Sequence, residues 1–413
     1  MIKHTTLLLI LCATLSAQSD PGPRNAPPRP ARPIQGLSAS ELALFQKGLD
    51  TFNEVDGVTQ GLGPRFNADS CASCHAYPVT GGASPALNPQ IAIATKSGAL
   101  NSVPSFLQSD GPVRVVRPKS VGGVRDLFVI TGRSDAPANC AAHQPDFSNL
   151  SDLTFRIPTP TLGLGLVESI TDTTLLNILA ANQQRKAQLG IKGRFNTNGN
   201  DGTITRFGWK AQNKSLAIFS GEAYNVEMGV TNELFPQERE EDPNCALNGA
   251  PESQSDIPTG GVGDMELFTL FMRYSAPPPP PQQGPQPNRG QALFDQVGCA
   301  MCHTPQFQTG RSSTAALSQK TVFLFSDLAL HHMGQGLADG ISQGSAQGDE
   351  FRSAPLWGLA DRIFLLHDGR TQDLLEAIRQ HDSPGSEASA VTRNFGALST
   401  QDKQALLNYL RTL

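Results

Sequence analysis

From residue 38 onward, stretches with apolar side chains every three or four positions are separated by long aperiodic stretches. The first periodic stretch is Ser38–Phe52, where Leu42, Phe45, Leu49 and Phe52 fall on one helical face. Ser38 followed by Glu41 supplies a capping box at its start. A second helix is predicted at Met265–Tyr274 (MELFTLFMRY). The C-terminal part repeats the layout with a short helix beginning at Gly290–Phe294 (GQALF) and a last one at Gln401–Leu413 (QDKQALLNYLRTL). Each half therefore opens and closes on a helix. Between them lies the tract Pro277–Pro281, with Pro285 and Pro287, which cannot be helical. Within the first half, Val113–Val116 and Leu127–Ile130 predict short strands, Asp172–Leu189 predicts one helix, and Asp373–Arg379 predicts another in the second half.

The chemistry enters with two pentapeptides, Cys71-Ala72-Ser73-Cys74-His75 and Cys299-Ala300-Met301-Cys302-His303. Thiols three positions apart reach the two vinyl groups of one haem, and the next histidine swings under the iron as proximal ligand. The sequence thus predicts two covalently bound c-type haems, on Cys71, Cys74, Cys299 and Cys302, with His75 and His303 as iron ligands. The expected fold is mainly α: two cytochrome c-like haem domains, residues 38–275 and 288–413, the first with a large loop- and β-containing insertion over residues 76–210.

Composition limits the remaining options. The chain has 413 residues and a net charge of -5, with no Lys/Arg cluster, which argues against a nucleic-acid partner. Lys3 and His4 precede the apolar run Leu7–Cys12, and Ala17 is a suitable cleavage point. Residues 1–17 are read as a signal peptide, making the protein periplasmic or otherwise exported, with no transmembrane anchor. Leu11 stands where a lipidation site needs a small residue, so Cys12 is read as part of the removed segment. Residues 18–37 and 276–287 are read as Pro-rich linkers. Cys140 and Cys245 remain once the haem thiols and Cys12 are subtracted. In an oxidising compartment they are expected to pair.

Further strings carry a resemblance: Gly61–Asn67 (GLGPRFN), Phe155–Pro160 (FRIPTP), Gly165–Glu168 (GLVE), Arg206–Lys210 (RFGWK) and Glu227–Gly229 (EMG) in the first half. Ser326–Leu328 (SDL), His331–Gly334 (HHMG), Pro355–Leu359 (PLWGL) and Leu366–Arg370 (LHDGR) follow in the second. Together they resemble the di-haem oxidoreductase family of peroxidase-like proteins, also labelled thiol oxidoreductases, which is related to bacterial di-haem cytochrome c peroxidase. The resemblance implies an oxidoreductase that takes electrons from an external donor, a small cytochrome or cupredoxin, through the second haem. It would pass them to hydrogen peroxide or another oxidant at the first. It implies Glu227 as acid/base at the peroxide-binding haem and Trp209 between the haems. Trp209 follows Gly208, whereas the peroxidases place Trp directly after Phe, and their distal glutamine position is not clearly filled. Where they carry a Met ligand to the electron-transfer haem, this chain has His381, with Met333 as the rival. A calcium ion between the domains stays open.

Glu168, at the end of an apolar run, is a second acid candidate; the competing reading is a carboxylate before a helix at Ile170–Leu176. Two other functions remain open: a non-enzymatic di-haem electron carrier, and a di-haem enzyme that oxidises a partner protein. No CxxC pair is left over to support the thiol label.

Overall fold

The computed structural model describes residues 18–413 other than 25–26, 28, 99–102, 122–133, 143–145, 240–241, 257–260 and 282–287. The signal-peptide residues and the run at 127–130 lie outside the described residues.

The opening helix, Ala39–Asn53, starts with the expected reciprocal box: Ser38 Oγ accepts from Glu41 N, and Ser38 N donates to Glu41 Oε2 at 2.7 Å. It crosses the closing helix Asp264–Tyr274 at Gly48, where a Cβ would overlap the Leu267 carbonyl oxygen. Phe45 and Phe52 fill the crossing against Phe271, with ring centroids 5.8 and 4.6 Å apart. The second half does the same. Its opening helix Arg289–Val297 crosses Thr400–Leu410 at Gly290, where a Cβ would overlap the Ala405 carbonyl oxygen. Leu293, Phe294, Leu406 and Leu407 are fully buried there.

The fold as a whole is mixed rather than mainly α. Among the described residues the strands form three two-stranded antiparallel ladders: Val115–Pro118 with Leu153–Arg156, Phe307–Gln308 with Thr321–Val322, and Leu330–His332 with Glu350–Arg352. Much of the rest is loop, held by turns and side-chain hydrogen bonds. The helix predicted over Asp172–Leu189 is two helices, Asp172–Ala180 and Gln183–Leu189, because Asn182 sits in the left-handed region at φ 58°. Among the described residues no helix is long and apolar enough to cross a membrane.

The two halves share one apolar core, in which Leu324, Leu328 and Trp357 join Leu164, Val167 and Phe207. A buried ion cluster ties them further. Arg156 Nη2 lies 2.6 Å from Asp339 Oδ2 and Lys210 Nζ 3.0 Å from Asp339 Oδ1, all three side chains nearly sealed from solvent. The described residues of 18–37 form no helix, as expected of a Pro-rich stretch, but are docked rather than loose. Asp20 pairs with buried Arg411 at 2.6 Å and accepts Leu374 N at 2.8 Å, while Arg24 pairs with Asp361. Cys140 and Cys245 are joined in a disulfide with Cα atoms 4.7 Å apart.

Candidate cofactor and active site

Both pentapeptides fold into the same device. Ser70 Oγ accepts from Ser73 N and caps the one-turn helix Cys71–Cys74, which sets both thiols on one turn. His75 follows, and its Nδ1 donates to Gly82 O at 3.1 Å. In the second half Cys299–Met301 forms a 3-10 turn and His303 Nδ1 donates to Phe325 O at 3.1 Å. A carbonyl can only accept, so each Nδ1 carries the ring proton and each Nε2 keeps its lone pair. Burial pulls both imidazoles down to about 4, so they are neutral at physiological pH. A buried neutral histidine, oriented through Nδ1 by a carbonyl, beside two unpaired cysteines one turn away, fits a haem iron ligand and its two attachment thiols. Burial raises the Cys71, Cys74 and Cys299 thiols, the last to about 12, so these three are poor thiolates.

Glu227 lies in the last turn of the helix Leu216–Met228. Its Oε2 accepts from Asn67 Nδ2 at 2.8 Å, and its carbonyl accepts Asn67 N at 2.8 Å. After burial, the Glu227 charge contributes most to raising the Cys74 thiol, which places the carboxylate close to that attachment position. Glu168 has a different task. It pairs with Arg273 at 2.8 Å, and its Oε1 accepts Leu216 N at 3.0 Å. Leu216 begins the helix that ends in Glu227, so Glu168 caps that helix instead of standing as a spare acid, and no helix covers Ile170–Leu176 as one piece.

The sequence reading missed Asp56. Burial pushes it up to about 7, despite a 2.9 Å hydrogen bond from Tyr224 Oη, and its charge raises the Cys71 thiol. Only its contact with Tyr224, 168 residues away, reveals it.

In the second half His381 follows the helix Leu374–Gln380, whose cap is Asp373. His381 Nδ1 donates to Ala377 O at 2.7 Å, leaving Nε2 with its lone pair, and burial lowers the ring. It is near enough to His303 for its charge to disfavour His303 protonation. Met333 pairs with Ser386 through the backbone, and its carbonyl accepts Ser383 Oγ at 3.2 Å. His331 lies between Asp327 (3.1 Å) and Glu387 (2.8 Å) and 3.7 Å from Cys302 Sγ. Burial opposes its protonation, but Cys302 and Asp327 raise it well above the usual value.

Trp209 sits where the halves meet. Its Nε1 donates to Ile157 O at 2.9 Å, its carbonyl accepts Arg352 N at 2.9 Å, and its ring edge meets His367 at 6.3 Å. His367 is itself stacked on Phe351 at 4.3 Å. Among the described residues no cluster of three or more His, Cys, Asp or Glu is arranged to hold a metal ion.

The family model described as "Di-haem oxidoreductase, putative peroxidase" matches residues 118–250 and 282–413, more than half of the chain. The chain belongs to this family. It is a peroxidase-like di-haem oxidoreductase, and the family implies two haem groups. A solved structure titled "Crystal structure of a MauG-like protein associated with microbial copper homeostasis" overlaps 94% of this chain and 93% of its own at 16% identity. The TM-score of 0.38 makes this a loose likeness. No curated protein matches.

Proposed function

We propose that this di-haem oxidoreductase is an exported c-type enzyme that reduces hydrogen peroxide at its first haem with electrons received at its second. Cys71, Cys74 and His75 would hold the first haem, and Cys299, Cys302 and His303 the second, with His381 as the second iron's other ligand. When bound, the haems supply electron storage and the iron at which peroxide is reduced. The observation that carries the reading is the Glu227 carboxylate beside Cys74, fixed by Asn67.

The protein's own residues do the rest. Glu227 takes a proton from the incoming peroxide and returns one to the departing oxygen, a role worth on the order of 10²–10⁴ in rate. Asn67 holds one carboxylate oxygen so that the group does not have to be positioned during the reaction. Trp209, clamped by Ile157 and Arg352, lies on the path between the halves and is the aromatic bridge in this reading. The external donor would be a small cytochrome or cupredoxin docking on the second half.

Glu227→Gln tests this directly. The variant should lose at least about 10²-fold in the rate of peroxide reduction, while both haem spectra and the melting temperature stay near wild type. A wild-type rate removes Glu227 from the acid/base role. Asp56→Asn, in the same assay, would then identify the other carboxyl beside the first attachment site.

A further inference from the structure

A cavity between the halves holds two arginines that no carboxylate among the described residues answers. One wall carries Thr159, Pro160 and Leu164; the other carries Arg352, Trp357 and Arg362. Each wall leads to one of the iron-binding histidines. Thr161 N and Oγ1 both donate to Gly81 O, next to the Gly82 carbonyl that orients His75. Leu356 N donates at 3.2 Å to Phe325 O, the carbonyl that orients His303. The cavity thus spans the space between the two attachment sites.

Its third arginine, Arg206, is neutralised by Asp172. The other two are not. Arg352 is 8% exposed and donates Nε to Gly208 O at 2.9 Å, while neither of its terminal nitrogens has a hydrogen-bond partner among the described residues. Arg362 donates Nη2 to the Pro355 and Trp357 carbonyls, and its buried Nε has no partner. Burial lowers each to about 10, and each still carries its charge at neutral pH. Repulsion from Arg362 adds to the effect on Arg352. Two like charges under apolar walls are strongly unfavourable unless an anion shares the space.

We propose that Arg352 and Arg362 form a carboxylate site that takes a propionate of the second haem. The wall chemistry favours a tethered carboxylate over a free anion. Leu164, Val167, Phe219 and the two tryptophans suit an apolar ring edge, and the guanidinium forks suit its acidic tip. The inference rests on haem being attached at both motifs, which the mass of each sample reports separately.

The experiment compares wild type with Arg352→Met, Arg362→Met and Arg352→Lys, each confirmed by mass to carry two haems. Midpoint potentials are measured by spectroelectrochemistry, and the propionate bending band by resonance Raman. A cation beside a propionate offsets a charge that favours ferric iron. Each Met variant should therefore lower the potential of one haem and shift the propionate band, and Arg352→Lys should restore most of the potential. Unchanged potentials and band in both Met variants, with two haems present, would overturn the proposal. So would a wild-type potential that depends on added acetate or chloride at constant ionic strength and loses that dependence in the variants, which would assign the site to a free anion. If the Met variants do not fold, Arg362→Lys decides: losing the fork should still shift the band, and an unmoved band refutes the site. Loss of a haem in wild type itself would count against the functional reading instead.

Discussion

Gly290 gives the sharpest prediction about what holds the haem units together. Its Cα hydrogen faces the closing helix so closely that a Cβ in its place would stand 2.5 Å from Tyr409 Cβ and overlap the Ala405 carbonyl oxygen. Carbon atoms pack at about 3.5–4.0 Å, so Gly290→Ala must part the helices by roughly 1 Å. Both obstacles are fixed by the backbone, so no rotamer change relieves them. The opening loosens Leu293, Phe294, Leu406 and Leu407 together, with a cost of about 3 kcal/mol, the upper end for small-to-large core changes. In a unit of this size that lowers Tm by roughly 10 °C. Gly48→Ala should act alike in the first unit, against the Leu267 oxygen and Phe271 Cβ. Gly396 is the control: it lies in the helix Ser389–Gly396 with nothing within 4 Å of its Cβ position. Gly396→Ala should be neutral or stabilising by up to about 1 kcal/mol. Thermal unfolding followed by haem absorbance and far-UV circular dichroism measures all three. A Gly290→Ala protein melting within 2–3 °C of Gly396→Ala would refute the close-crossing argument.

Two further outcomes follow from buried groups. Asp339→Asn removes the carboxylate that pairs with both buried Arg156 and Lys210 and should cost about 3–5 kcal/mol at neutral pH. Burial alone would raise Asp339, but Arg156 and Lys210 hold it below the ordinary carboxylate range. Its contribution is therefore complete above the unfolded value of about 4 and is lost as pH falls through the lower folded value. The gap in Tm between wild type and variant should shrink on acidification, and a constant gap from pH 7 to pH 3 would count against it. His381→Gly should turn one low-spin haem high-spin, read by electron paramagnetic resonance; if Met333→Leu does so and His381→Gly does not, the ligand is Met333.

Legibility in the sequence followed the range of the interactions. The capping box at Ser38 and the paired opening and closing helices are local patterns, and each is present as read, while each CxxCH string folds into a single turn. Gly48 and Gly290 occupy matching places in the opening helices, a repeat visible in the sequence once its meaning is known. Which helix Glu168 caps was not legible, because its partner Arg273 is 105 residues away and Leu216 is 48 away. The docking of residues 18–37 was hidden for the same reason: Asp20 meets Arg411 across 391 positions. The break at Asn182 was a local signal passed over, since asparagine tolerates the left-handed region that ends a helix. The two ladders of the second half are too short for period two to show, and arginines facing a cavity look the same in sequence as arginines facing solvent.

The central claim is that two haems in one chain deliver two electrons to peroxide. The most direct test adds one equivalent of hydrogen peroxide, without oxygen, to the fully reduced protein and follows both haem spectra. The account predicts that one equivalent oxidises both haems and that the peroxide is consumed. A reduced spectrum that stays unchanged, with the peroxide recovered intact, would contradict it.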